Sequence, residues 1–330
     1  MRPGRMKRRH FVALLGGALT WPYAVDAQER GVPVIGFLNA GSPGPFQPLG
    51  DAFRAALSAQ GYVEGRNVAF QYRWAEGQMA RTPEMAADLV RRRVSVIVTG
   101  GIFLARAAQS VTSTIPILFI GGPDPVADGL VRSLNRPGGN LTGVALYTSE
   151  LMPKRLDLLN ELVPRAATIA LLVNPIGFAA EREVQLIEGA TRKTGQQMVV
   201  LRVGSDGDFE AAFDSGVKQR ANGLLVSANP FFTSRRAQLV ELAARHAIPT
   251  AYPWREYVEA GGLMSYGPSI TAAYRLIGDY AGRILKGESP GNLPVQMPTK
   301  FEMTINPKAA KALGLNVSGM MLLRADAVIE

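Results

Sequence analysis

From Gly31 onward, short apolar runs alternate with longer segments in which apolar residues recur every three or four positions. That alternation predicts buried strands joined by amphipathic helices, the repeating βα unit of a parallel sheet. Val32–Leu38 reads as a buried strand, Phe46–Gln60 as a helix stopped by Gly61, Val68–Arg73 as a second strand and Pro83–Arg92 as a second helix. Val94–Thr99, Ile117–Ile120 and Thr142–Leu146 read as further strands. The order then restarts. Leu151–Leu162, Ala179–Thr194, Phe209–Arg220 and Arg235–His246 read as helices; Thr168–Val173, Met198–Val203, Gly223–Val226 and Ile248–Ala251 read as strands. The halves share element order down to an Ile-Pro step, Ile115-Pro116 and Ile248-Pro249, ahead of a strand. Two doubly wound, Rossmann-like α/β lobes fit this pattern; a solenoid does not.

In open α/β sheets, ligands sit outside the carboxyl ends of the strands. Six loops fall there: Asn39–Ser42, Thr99–Gly101 and Gly121–Asp124 in the first half, Asn174-Pro175, Ser227–Phe232 and Tyr252–Trp254 in the second. Each taken singly is explained by turns and helix caps. Two facing sets on two similar lobes point instead to a cleft. A small zwitterionic or carboxylated molecule is expected there, with Ser42, Thr99 and Gly100 offering hydroxyl and N–H donors to its anionic end. Asp124 is the candidate partner for an ammonium group, with capping of a helix near Pro125 as the alternative. Asn229, Phe231, Tyr252 and Tyr266 are expected to line the other side.

Composition narrows the chemistry. Of 330 residues 47% are hydrophobic and 19% charged, enough for two domain-sized cores. No cysteine is present, which excludes disulfides, thiolate metal sites and a cysteine nucleophile. His10 and His246 are the two histidines, so a multi-histidine metal centre is excluded and no metal or cofactor is expected. His246 ends a helix, where a cation suits the helix dipole. Phosphate-loop, dinucleotide and Gly-x-Ser-x-Gly signatures are absent, so the residues give no case for an enzyme.

The first residues read as an export signal. Five basic residues lie between Met1 and Arg9, and the uncharged Phe11–Tyr23 is too short to span a bilayer. Val25-Asp26-Ala27 places cleavage after Ala27, and Arg8-Arg9-His10-Phe11 resembles a twin-arginine signal, a general secretory one being the alternative. Removing Met1–Ala27 takes away five basic residues and one acid, so the net charge of +9 falls to +5. The densest basic run, Arg91-Arg92-Arg93, sits at an expected helix end, so no nucleic-acid partner is expected. The mature protein is expected in the periplasm.

Beyond these readings, the sequence resembles a bacterial family of ABC-transporter substrate-binding proteins. The resemblance rests on the leader with Leu14–Gly17 and Trp21-Pro22, on Asp124-Pro125-Val126, Gly129-Leu130-Val131, Arg136–Val144, Lys154-Arg155-Leu156 and Leu172–Pro175. It continues through Asn229–Phe232 with Arg235-Arg236, Tyr252-Pro253 with Arg255-Glu256, Glu259–Gly267 and Pro298–Glu302. It implies the type I periplasmic-binding-protein fold, two lobes joined by three crossovers placed near Leu146–Ser149, Leu263–Gly267 and Pro298–Phe301. Lobe one would hold residues 28–147 and 267–299, including a returning helix Tyr274–Lys286. Lobe two would hold 148–266 and 300–330, including Phe301–Ile305 and the helix Pro307–Leu313. The resemblance also implies capture of a small molecule, an amino acid or related carboxylate, by a monomer serving an ABC permease and its ATPase. A sensory subunit of the same fold, or an exported two-domain enzyme, are the competing functions.

Overall fold

The computed structural model describes residues 31–122, 124–176 and 179–329; the leader expected at residues 1–27 lies outside the described residues. β1 (Val34–Asn39), α1 (Pro43–Ala59), β2 (Ala69–Trp74), α2 (Thr82–Arg91), β3 (Val96–Thr99), α3 (Ile102–Gln109), β4 (Ile117–Ile120) and β5 (Leu141–Val144) build a first layer. Its sheet runs β2-β1-β3-β4-β5 with every pairing parallel. β3, β4 and β5 are buried at every residue, as a parallel sheet covered on both faces requires.

The second layer follows with α4 (Met152–Leu162), β6 (Thr168–Val173), α5 (Ala179–Thr194), β7 (Gln197–Arg202), α6 (Asp208–Lys218) and β8 (Gly223–Val226). It continues with α7 (Pro230–Ser234), α8 (Arg236–Arg245), β9 (Thr250–Tyr252), α9 (Arg255–Glu259) and β10 (Met264–Pro268). The chain then returns to the first layer in α10 (Ile270–Leu285), and Gln296 bridges to β5 through Gly143 O and Ala145 N–H. It crosses once more to β11 (Phe301–Ile305), α11 (Pro307–Ala312), α12 (Gly319–Arg324) and β12 (Ala327–Val328). The second sheet runs β12-β11-β10-β9-β8-β6-β7, with β10 and β11 antiparallel. Residues from Pro33 onward form one compact unit, so the two layers share one body.

Expected and observed elements differ mainly at their ends. The helix expected from Tyr274 starts at Ile270, because the Ser269 hydroxyl caps it by accepting the Ala272 N–H at 3.2 Å. The last strand of the second βα series starts at Thr250 and not Ile248, because the Ile248 N–H closes the end of α8 on Ala243 O. α10 lies against α1 at Gly278, where a Cβ would stand 2.3 Å from Phe53 O. Arg91 and Arg92, from the basic run, pair with Asp88 at 3.4 and 2.9 Å. Hydrogen bonds from Arg73 and then Arg92 hold the Asp88 carboxyl down, to about 2. His246 closes α8 and stacks on Phe213 at 5.7 Å.

One polar group sits where two of the passages between the layers meet. Arg155, on α4, is wholly buried. Its Nε donates to Tyr266 O on β10 at 2.8 Å, its Nη2 to Thr148 O on the segment leaving β5 at 3.3 Å, and its Nη1 to Met152 Sδ at 3.0 Å. Burial pushes its guanidinium down, to about 10, against the attraction of Glu183. Glu183, also buried, accepts the hydroxyls of Ser149, at 3.1 Å, and Ser227. Burial pushes its carboxyl above the usual range. A buried ion with all its partners in place costs little, but one left alone costs several kcal/mol. Arg155→Met should therefore lower unfolding free energy in urea by about 3–5 kcal/mol. The double change Arg155→Met with Glu183→Gln should recover part of that loss. An unchanged urea midpoint for the single variant would contradict the assignment.

Candidate functional site

The carboxyl ends of β1, β3 and β4 face those of β6, β8 and β9 across a cleft, as the strand orders of the two sheets require. The cleft encloses about 150 Å³. Its first wall comes from the loops after β1 (Asn39–Ser42), β3 (Gly100 and Gly101, running into α3) and β4 (Gly121, Gly122), with Phe46 of α1 and Tyr274 of α10. The second wall comes from Asn174 and Ile176 after β6, Ala228–Pro230 with Thr233 and Ser234 after β8, and Trp254 after β9. Leu146 and Thr148, on the passage between layers, form part of the lining.

The first wall is held by its own aromatic and polar contacts. Phe46 meets Tyr274 edge-on at 5.5 Å and Trp74 at 5.0 Å, and the stack runs on through Tyr72 and Phe37 into the core. Edge-to-face and offset pairs of this kind fix ring planes as well as burying area. Tyr274 shares a hydrogen bond with Asn39, and burial pushes its phenol well above the usual range. Asn39 Oδ1 accepts the Gly41 N–H at 2.8 Å, which holds the loop after β1 in a tight turn.

The two walls touch at one rim. Arg235 Nη1 donates to Ser42 Oγ at 3.3 Å, and Arg236 Nη1 donates to Pro45 O at 3.2 Å. Arg235 is itself held by Asp206 through two bonds of 2.7 and 2.8 Å and lies over the Phe231 ring at 5.7 Å. At Gly41 the walls come so close that a Cβ would stand 2.9 Å from Ser234 Cβ, so a glycine is required there in this arrangement. At the other end Thr271 Oγ1, on α10, donates to Glu256, on α9, at 3.0 Å.

Of the residues singled out from the sequence, Ser42, Gly100 and Asn229 line the cleft. Asn229 also caps α7, its Oδ1 accepting the Phe231 N–H at 2.9 Å. The other residues stand elsewhere. Thr99 is fully buried and donates its hydroxyl to Leu118 O. Asp124 Oδ1 accepts the N–H groups of Val126 and Ala127 at 2.8 and 3.2 Å, and its carboxylate also takes the Tyr147 phenol. Phe231 is buried between the layers, packed on Phe209 and Phe232 with its ring edge against Gly77 of the first layer, where a Cβ would stand 3.0 Å from it. Tyr252 stacks on Tyr257 and borders a separate depression of about 430 Å³ between α8, α9 and α11. Tyr266 stacks on Phe301, and its carbonyl takes Arg155.

Phe46, Phe103, Tyr274, Thr148 and Trp254 are among the lining side chains that sequence reasoning did not select as site residues. Trp254 was legible as part of a loop at a strand end. Tyr274 was visible as the start of a helix that the resemblance returns to the first lobe, but no local pattern says that its ring meets Phe46 at the cleft.

Residues 48–329 match the family described as ABC transporter substrate binding protein. The tyrosine-binding protein of Clostridioides difficile (strain R20291) is 28% identical over 263 residues, 80% of this chain and 75% of that protein. Among solved structures, a conserved domain protein from Vibrio cholerae O1 biovar eltor str. N16961 is similar with a TM-score of 0.82 and 26% identity, over 91% of this chain and 100% of that one. An ABC domain in complex with L-Trp from Streptococcus pneumonia has a TM-score of 0.80 at 23% identity, with the same coverage. No helix among the described residues is long and apolar enough to cross a membrane. With two parallel-dominated α/β layers enclosing a cleft at facing strand ends, the chain has the type I periplasmic-binding-protein fold and belongs to the ABC-transporter substrate-binding protein family.

Proposed function

We propose that this chain captures a small carboxylated molecule, an amino acid or a related acid, between its two layers and presents the closed complex to an ABC permease with its ATPase. The observation that carries the reading is the cleft itself, built from six loops at facing strand ends and bridged at one rim by Arg235 and Arg236. Its aromatic side chains suit a ring-bearing solute, in keeping with the tyrosine- and tryptophan-binding relatives.

The layers act as lobes, with chain boundaries near residues 147, 268 and 300, that swing about the three passages between them. Ligand binding favours the closed arrangement because only there do both walls contact the solute. Tyr147, on the first passage, has φ +48, in the left-handed region that costs a residue with a Cβ roughly 1–2 kcal/mol. The protein works as a monomer in the periplasm after cleavage behind Ala27.

Mass spectrometry of small molecules released by denaturing the exported protein should yield a single dominant carboxylated solute. Returned at about 100 times its dissociation constant, that solute should add about 2.7 kcal/mol of stability, seen as a rise of a few degrees in melting temperature. A chain that releases nothing, and whose melting no carboxylated metabolite raises, would contradict capture.

Asp124 separates binding from architecture. Its bonds to Val126 and Ala127 are those of a turn cap, which asparagine provides as well as aspartate. Asp124→Asn should leave solute affinity unchanged, whereas Asp124→Ala should cost about 1 kcal/mol of stability. A large loss of affinity in Asp124→Asn, measured by calorimetry, would instead make this carboxylate a ligand partner.

A further inference from the structure

The described residues lining the cleft include no Asp, Glu, Lys, Arg or His. Donors and acceptors there are neutral: Asn39, Ser42, Thr148, Asn174, Asn229 and backbone groups of the strand-end loops. Four acids near these loops in the chain have partners of their own. Asp124 caps its turn and takes Tyr147, and Glu150 is paired with Arg182 at 2.8 Å. Glu183 is buried under the hydroxyls of Ser149 and Ser227, and Glu256 holds Thr271. The guanidiniums of Arg235 and Arg236 reach the rim behind Ser42 and Pro45, with the carboxylates of Asp206 and Glu76 acting on the first and that of Glu256 on the second. Asp206 offsets the first, while the second is bonded to the carbonyls of Pro45 and Thr233.

An ammonium group enclosed in such a cleft loses its water and finds no carboxylate among the described lining residues to replace it. A carboxylate loses less, because the hydroxyls, side-chain amides and backbone N–H groups of the strand-end loops can all donate to it. Phe46, Phe103, Trp254 and Tyr274 supply ring-sized apolar surface. We infer that, within the capture reading on which this rests, the cleft is built for an aromatic monocarboxylate without an amino group and selects against the corresponding amino acid.

Calorimetry on the exported chain, stripped of bound solute, tests this with matched pairs: 3-phenylpropanoate against L-phenylalanine, 3-(4-hydroxyphenyl)propanoate against L-tyrosine, and indole-3-propanoate against L-tryptophan. In at least one pair the acid should bind about a hundredfold more tightly than the amino acid, the scale set by an unpaired buried charge. Equal or tighter binding of the amino acids overturns the inference and leaves capture standing. Binding of neither member of any pair, while mass spectrometry finds another released solute, also overturns it and leaves capture standing. Capture falls with it only if no released solute is found and no carboxylated metabolite raises the melting temperature.

Discussion

A guanidinium without water is tolerated only where every donor finds an acceptor, and the placement of Arg155 therefore constrains everything around it. Its acceptors are Met152 Sδ and the main-chain oxygens of Thr148, on the chain leaving the first sheet, and of Tyr266, on β10 of the second. Tying these to α4 fixes where the two layers meet. Glu183, facing the same buried region, holds Ser149 on one side and Ser227 at the end of β8 on the other. The polar network thus reaches from the base of the passages to the loop that carries Asn229. Cleft geometry follows from that base: the same segments carry Leu146 and Thr148 into the lining, while Ser227 precedes Ala228.

Each wall is rigid for a different reason. The first is an aromatic stack continuous with the sheet core, from Phe37 through Tyr72 and Trp74 to Phe46 and Tyr274. The second is set by a helix cap, since Asn229 fixes the first turn of α7 and with it the positions of Thr233 and Ser234. Between rigid walls, movement is left to the passages and to the few bonds that bridge the rim. Those bonds are exposed or half-buried and individually weak, which suits contacts that must break when the cleft opens.

Sequence periodicity made the layers legible because parallel strands buried on both faces read as uninterrupted apolar runs. Thr168–Val173 and Gly223–Val226 needed no adjustment. The strand-end loops were legible for the same reason: once the strands are placed, the switch-point geometry of two doubly wound sheets says where a ligand goes. Individual lining residues were not. Phe231 and Tyr252 are aromatic residues in or beside the right loops, but Phe231 is buried between Phe209 and Gly77 and Tyr252 is stacked on Tyr257, so neither lines the cleft. Asp124 has the right charge beside the right loop, yet backbone N–H groups two and three residues onward take its oxygen. Tyr274 lies far from its neighbours in sequence, and no local pattern announces that α10 comes back to lie under Phe46. The antiparallel placement of β11 beside β10 was equally hidden, since a strand's apolar pattern does not record its direction.

The account turns on closure of two rigid walls around a solute. Small-angle scattering of the exported chain tests it most directly, first after unfolding and refolding to remove bound solute and then through a titration with the molecule released. The radius of gyration should fall to a plateau as the solute saturates, and Gly41→Val, which places bulk where the walls meet Ser234, should blunt that fall. A radius of gyration that stays constant through saturation in the unmodified chain would contradict a cleft that closes on its ligand.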